Sequence, residues 1–128
     1  MMRHQLKPDS PALLAACDYA WKTGSDVTSE QVRWIVEAFL EAAENAPDFV
    51  LADPPRAGLG KHAVRALLRL KPKQVTIVAC DPSTLARDLA ALVAGGYKIE
   101  QLTLVDLFPQ TFHIETVARL RMGPGGTV

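Results

Sequence analysis

The chain has 128 residues, of which 48% are hydrophobic, and its 14 basic and 14 acidic side chains give a formal net charge of zero. This size and balance are typical of one globular domain and give no electrostatic indication of a nucleic-acid partner. Its two cysteines, Cys17 and Cys80, are too few for a disulfide framework or a CxxC-type zinc site.

The N-terminal segment, residues 1–47, has apolar side chains at the spacing of helices. Ser10 begins a first predicted helix, and Thr28 begins a second one. A short strand over residues 32–36 is an alternative to the start of the second helix, and the periodicity leaves both open. With no secretory signal and no run of ~18 apolar residues, we expect a cytoplasmic protein that does not span a membrane.

From residue 48 onward, short apolar runs alternate with amphipathic helical stretches, which is the pattern of a parallel α/β sheet. The predicted strands are 48–53, 74–80, 97–105 and 115–122, and the predicted helices are 61–70 and a stretch from Ser83 or Thr84 to Gly95. The remaining residues, 123–128, are expected to form a flexible tail. We therefore predict one α/β sheet with flanking helices.

Three chemically capable side chains converge on one predicted edge of this sheet. Asp53 and Cys80 follow two parallel strands, at the ends where open α/β sheets bind ligands. The loop 106–113 is too short for a helical crossover, so the last two strands form an antiparallel hairpin that returns Glu115 to the same edge. A cysteine with a nearby carboxylate can act as nucleophile and general base. Alternatively, Cys80 is a small buried hydrophobe and both acids serve only turns or solvent.

Other kinds of site fail on residue spacing. A phosphatase loop of the Cys-x5-Arg type needs arginine where Ala86 stands. A Walker A loop needs glycine where Pro55 stands and a hydroxyl residue where His62 stands. The three histidines show no metal-ligand spacing, so we predict no metal site.

Three segments carry a family resemblance: DFVLADPPRAGLG, VTIVACDPSTLARDL and DLFPQTFHIETVARL. In this order and spacing they resemble the catalytic part of the S-adenosylmethionine-dependent RNA (uracil-5-)-methyltransferases, which form 5-methyluridine in ribosomal or transfer RNA. The resemblance covers residues 48–122. It implies the C-terminal half of a Rossmann-like class I methyltransferase domain, a partial sheet that ends in an antiparallel hairpin.

The resemblance also implies roles for the residues at the sheet edge. Cys80 matches the family's nucleophile, whose thiolate adds to C6 of the target uracil. Glu115 matches the base that removes the proton from C5 after methyl transfer. Asp53 is implied to contact the uracil, which has to leave any base stack to reach this pocket. Asp53 and Pro54 also match the side of the motif that faces the methyl donor.

Further side chains are candidates for contacts with RNA. Arg56 and Arg87 are candidate phosphate contacts, with solvated arginines at helix entrances as the alternative. His113 is a candidate for orienting Glu115 or the RNA, with a loop histidine held by the backbone as the alternative.

The family's glycine-rich donor loop and its acidic ribose-binding residue have no match before Asp48. We therefore expect that the chain is truncated, binds S-adenosylmethionine weakly or not at all by itself, and acts on RNA only within a longer parent. An incomplete sheet also predicts self-association. The alternative hypothesis is a non-catalytic remnant or interaction module that retains the sheet. One motif departs from the family: Asp81 stands where Asn is usual.

Overall fold

A computed structural model of the chain describes residues 40 and 43–124. Within this part the elements in chain order are β1 (Phe49–Ala52), α1 (Gly60–Leu70), β2 (Gln74–Ala79), α2 (Pro82–Ala94), β3 (Tyr97–Val105) and β4 (Glu115–Met122). They confirm the strands and helices predicted after residue 48, with small differences at their ends. The helices and the alternative strand predicted before residue 40, and most of the predicted tail, lie outside the described residues.

The strands form one sheet in the order β1-β2-β4-β3. β1 is parallel to β2, and β4 is antiparallel to both of its neighbours, β2 and β3. The antiparallel hairpin of β3 and β4 is therefore confirmed. The position of β4 inside the sheet, between β2 and β3, was not predicted from the sequence. Alternate residues of β4 are buried, whereas β3, at the edge, buries only Tyr97.

Both described helices cover the same face of the sheet. Val75, Ile77 and Ala79 alternate along β2 and point into the core. The buried apolar residues that meet there come from α1, α2 and the neighbouring strands: Val64, Leu67, Leu85, Leu89, Leu92, Tyr97, Ala118 and Leu120. Under these helices, hydrogen bonds between the strands pair the carboxyl end of β2 with the start of β4.

The connection from α1 to β2 is fixed by Lys71, Pro72 and Tyr97. Lys71 has a left-handed backbone (φ 54°), and its N–H donates to the carbonyl of Leu67, which ends α1. Pro72 is buried, and the buried Tyr97 hydroxyl donates a hydrogen bond of 2.7 Å to its carbonyl. Burial raises the pKa of Tyr97 to about 12. This bond anchors the start of β3 to the connection that precedes β2.

The start of α2 differs from the prediction. Ser83 or Thr84 was expected to begin the helix, but the N-cap is Asp81, with Pro82 in the first turn. The Asp81 carboxylate accepts hydrogen bonds from the backbone N–H groups of Ser83 (2.9 Å) and Thr84 (3.0 Å). Asp is among the best N-caps and Pro suits the first helical turn, so Asp81-Pro82 outcompetes the hydroxyl residues that follow.

No helix among the described residues combines the length and the apolar character needed to cross a membrane.

Replacing Tyr97 with Phe should lower the free energy of unfolding by about 1–3 kcal/mol, because the buried carbonyl of Pro72 loses its donor. Urea unfolding at pH 7 measures this difference. The pKa of Tyr97 is 10.0 in the unfolded chain and about 12 in the folded chain. The free energy of unfolding of the unsubstituted chain therefore decreases as pH rises from 10 to 12. The difference in the free energy of unfolding between the unsubstituted chain and Tyr97→Phe should therefore become smaller above pH 10. Equal urea midpoints at pH 7 would contradict the role of this bond.

Replacing Asp81 with Ala should lower the melting temperature, because two N–H groups at the start of α2 lose their acceptor. Asp81→Asn should recover most of this loss at pH 7, since Asn is also a favoured N-cap, but it lacks the stabilising charge of Asp81. The hydrogen bond from the Ser83 hydroxyl is the main cause that lowers the pKa of Asp81 below 3.8. The charge therefore stabilises the fold above pH 3.8, and this contribution is lost as pH falls through the lower folded pKa. Thermal unfolding at pH 7 and pH 3 tests both statements; an Ala variant that melts unchanged would contradict the cap.

Candidate active site

The pairing of β2 with β4 brings the predicted nucleophile and base together. Ala79 is paired with Thr116 in an antiparallel register, and Cys80 and Glu115 are the next two residues in that register. Directly opposed residues on neighbouring strands have Cα atoms about 5 Å apart and side chains on the same face. Cys80 is exposed, and Glu115 is half-buried. The alternative of a buried, hydrophobic Cys80 is therefore wrong.

Asp53 lies at the same edge, one strand away from Cys80. Ala52 is in register with Ile77 on the parallel strand β2, which places Asp53 level with Val78. Extending both strands by one residue at the usual strand spacing and rise would put the Cα atoms of Asp53 and Cys80 about 8 Å apart. Asp53 is exposed. The three side chains predicted to converge on one edge therefore do so.

Glu115 is preceded by a tight turn. Pro109 and Gln110 are the central residues of a turn in which the Thr111 N–H and hydroxyl both donate to the Phe108 carbonyl. Gln110 has φ 67°, which is the conformation that a type II turn requires at this position. The N–H of His113 donates to the Thr111 hydroxyl at 3.3 Å, and the His113 side chain is exposed.

Asp81, next to Cys80, has its carboxylate turned toward the helix that follows. It accepts bonds from two backbone N–H groups and from the Ser83 hydroxyl, and these bonds lower its pKa. The positive end of the helix dipole also lies at this carboxylate. Since Asn and Asp are equally good caps, Asp81 keeps the local geometry that Asn would give.

Arg56 and Arg87, the two predicted phosphate contacts, have different surroundings. The Arg56 side chain is exposed, and within residues 43–124 only its backbone carbonyl is hydrogen-bonded, to the Thr84 hydroxyl. The guanidinium of Arg87 instead donates to the Asp88 carboxylate and, over 2.8 Å, to the carbonyl of Ala57.

Sequence reasoning missed Thr84 and Asp88. A signal was present for Asp88, because it lies on the helix face that also carries the buried Leu85 and Leu92. An acid at such a position requires a partner, since an unpaired buried charge is costly.

The described residues contain no group of three or more His, Cys, Asp or Glu placed to hold a metal ion.

The site therefore presents an exposed thiol with one carboxylate opposite it and another on the adjacent strand end. The thiol can form a covalent bond to an electrophilic carbon, and Glu115 can move a proton at a neighbouring atom. This matches the chemistry implied by the three segments quoted above.

Comparison with known proteins gives the family. The sequence profile of tRNA (Uracil-5-)-methyltransferase matches residues 38–122, so the match begins upstream of Asp48. An RNA methyltransferase of Thermotoga maritima, named as uncharacterized, is 40% identical over 108 residues, which cover 81% of this chain and 25% of that protein. One from Listeria innocua, also named as uncharacterized, is 46% identical over 89 residues, or 70% of this chain and 18% of that protein.

Among solved structures, the Pyrococcus abyssi tRNA (uracil-54, C5)-methyltransferase in complex with S-adenosyl-L-homocysteine is similar, with a TM-score of 0.55 and 42% identity. The match covers 61% of this chain and 19% of that one. It confirms the predicted class I methyltransferase fold. The chain spans a quarter or less of the length of these relatives. Because the family profile covers well over half of its residues, the chain belongs to the tRNA (uracil-5-)-methyltransferase family of S-adenosylmethionine-dependent RNA methyltransferases.

Proposed function

We propose that this chain supplies the nucleophile and the base of an enzyme that methylates C5 of a uridine in transfer or ribosomal RNA. The β2–β4 register carries the proposal, because its last pair is Ala79 with Thr116 and the residues that follow and precede them are Cys80 and Glu115. Addition at one ring carbon and proton removal at its neighbour need two groups within a few ångströms of each other. We assign these two roles to the exposed thiol of Cys80 and the half-buried carboxylate of Glu115.

Cys80 performs the first step as a thiolate. Its sulfur forms a bond to C6 of the uracil, and the electron pair of the C5–C6 double bond moves toward C5 and the C4 carbonyl. C5 thereby becomes an enolate-like carbon that can accept a methyl group. The exposure of Cys80 leaves room for a base that has been rotated out of its stack.

Glu115 performs the last step. After methylation, C5 still carries its original proton, and the carboxylate removes it. The C5–H electron pair re-forms the C5–C6 double bond, and the C6–S bond breaks to release Cys80 as a thiolate. The half-buried position of Glu115, next to the exposed Cys80, keeps the base close to C5 while leaving an open path for the proton to solvent.

S-adenosylmethionine supplies the electrophilic methyl group when it is bound. Asp53 and Pro54, at the carboxyl end of β1, are the described residues that would hold it. An exposed carboxylate at a strand end suits the ammonium and hydroxyl groups of such a molecule. We also assign Asp53 to contact the uracil, as the family resemblance implies.

RNA contacts are assigned to exposed groups around this edge. Arg56 follows the strand end of Asp53, and its guanidinium makes no hydrogen bond within residues 43–124, so it is available for a phosphate. His113 is exposed two positions before Glu115 and is assigned to orient Glu115 or the RNA.

A covalent trap tests the role of Cys80. In a chimera, residues 48–122 of this chain replace the matching segment of the Pyrococcus abyssi enzyme, and the RNA is a tRNA with 5-fluorouridine at position 54. Fluorine at C5 cannot leave as a proton does, so the adduct should persist on a denaturing gel when S-adenosylmethionine is present. Cys80→Ala should abolish it, and Cys80→Ser should not restore it.

Calorimetry with S-adenosylmethionine and circular dichroism establish that each chimera is folded and holds the donor. A folded, donor-binding chimera that forms no adduct would contradict the proposed function. That outcome would favour the non-catalytic module.

Glu115→Gln should separate addition from release. With ordinary uridine tRNA, this variant should still form the covalent bond, but release of methylated RNA should slow by about 100-fold or more, the usual contribution of a general base. Denaturing gels measure the adduct, and release of methylated RNA is followed in time. Glu100→Gln, on the exposed strand β3, is the matched control and should turn over normally. Unchanged release from Glu115→Gln would remove Glu115 from the mechanism.

A further inference from the structure

One face of α2 holds the loop that follows β1. Thr84, Arg87 and Asp88 are spaced so that they share that face, and we call these three residues the loop clamp. The Thr84 hydroxyl donates to the Arg56 carbonyl at 2.8 Å. Arg87 Nη2 donates to the Ala57 carbonyl, also at 2.8 Å. The clamp therefore fixes successive peptide groups of the loop.

Asp88 is the centre of the clamp. Its side chain is only 3% exposed, and both carboxylate oxygens are used. Oδ2 accepts the backbone N–H of Leu59 at 2.7 Å, and Oδ1 accepts Arg87 Nε at 3.1 Å and Nη2 at 2.9 Å. A buried carboxylate with a cation on one oxygen and a backbone donor on the other holds both partners strongly.

Gly58 lets the loop approach this closely. It has φ +81°, and a Cβ atom there would lie 2.5 Å from Asp88 Oδ2 and 2.7 Å from Arg87 Nη2. Its N–H donates to the Pro55 carbonyl at 2.8 Å and closes a turn. The loop is therefore shaped to fit the clamp, and any side chain at this position would push it away.

The clamp joins the two sides of the candidate site. The loop continues directly from Asp53 and Pro54 at the end of β1, and α2 continues directly from Cys80 at the end of β2. We propose that Arg87 and Asp88 are positioning residues that hold the Asp53 side of the site at a fixed distance from Cys80. This inference rests on the proposed function and assigns Arg87 to the loop instead of to an RNA phosphate.

Replacing Arg87 with Lys distinguishes a role in holding the loop from a role in binding an RNA phosphate. A phosphate contact needs mainly a positive charge, which lysine keeps, and its loss lowers the salt dependence of RNA binding. The clamp needs the planar guanidinium, because Nε and Nη2 donate to two acceptors at once. Arg87→Lys should therefore no longer hold the loop, whereas it would still bind a phosphate.

The first experiment uses the full 128-residue chain and measures amide hydrogen exchange by NMR. Arg87→Lys and Gly58→Ala should each speed exchange of the Leu59 amide about tenfold or more, as expected when a charge-assisted hydrogen bond is weakened. The amides of Val75 and Ile77 in β2 should keep their rates, which shows that the core stays intact. Arg65→Lys, an exposed arginine of α1, is the matched control.

The second experiment places the same substitutions in the chimera and follows formation of the 5-fluorouridine adduct. At saturating RNA, Arg87→Lys should lower the rate of adduct formation about tenfold or more, because a misplaced reacting group costs rate. The salt dependence of RNA affinity should not change.

The outcomes separate the two proposals. If the unsubstituted chimera forms no adduct, the proposed function fails, whereas the exchange data still test whether the clamp holds the loop. If that adduct forms and Arg87→Lys matches it in rate, the positioning role is overturned. A lower salt dependence in Arg87→Ala, with Arg87→Lys fully active, would instead assign Arg87 to a phosphate. Unchanged Leu59 exchange in both Arg87→Lys and Gly58→Ala would show that the clamp does not hold the loop.

Discussion

β4 is hydrogen-bonded on both sides, to β2 along one edge and to β3 along the other. The insertion of this strand sets the distance between the thiol and the carboxylate. If β3 lay next to β2 instead, Glu115 would be a further strand away, about 10 Å from Cys80, because each strand adds about 4.8 Å. The direction of β4 is equally important for this distance, since only a strand antiparallel to β2 brings its first residue to the carboxyl end of β2.

The N-terminal half of α2 organises the remainder of the site through two independent sets of bonds. Asp81 caps the helix and so fixes the peptide that follows Cys80. One turn later, Thr84 and Asp88 hold the loop that follows β1. The same helix therefore connects the nucleophile to the strand end that carries Asp53. Replacement of the family's usual Asn by Asp81 is compatible with this arrangement, because either side chain accepts the same N–H groups.

Much of this fold follows from local pattern. The alternating apolar residues of Gln74–Ala79 and the turn residues around them predict a buried strand, and the short loop 106–113 predicts a hairpin. The convergence of Asp53, Cys80 and Glu115 then follows from the rule that parallel strands end at one edge. These inferences need no knowledge of long-range contacts, which is why they agree with the structure.

The features that were not predicted depend on contacts between distant residues or on competing local signals. The burial of alternate residues in β4 and the exposure of β3 follow from the strand order, which the local pattern of either strand does not specify. Asp81, Ser83 and Thr84 are all good N-cap residues, so local sequence does not specify which of them begins α2. One partner of Asp88, the Leu59 N–H, lies on a loop 29 residues earlier in the chain, and helical periodicity carries no information about it.

The central position of β4 also determines when, during folding, a reactive pair exists. β3 and β4 are joined by one loop and can pair locally, whereas β2 meets β4 only after α2 and β3 have been traversed. The seam between β2 and β4 is lined by core residues, including Val75, Ile77 and Leu120. Opening that seam exposes the core, so it accompanies cooperative unfolding of the whole sheet. A partly folded chain therefore carries the thiol and the carboxylate apart from each other.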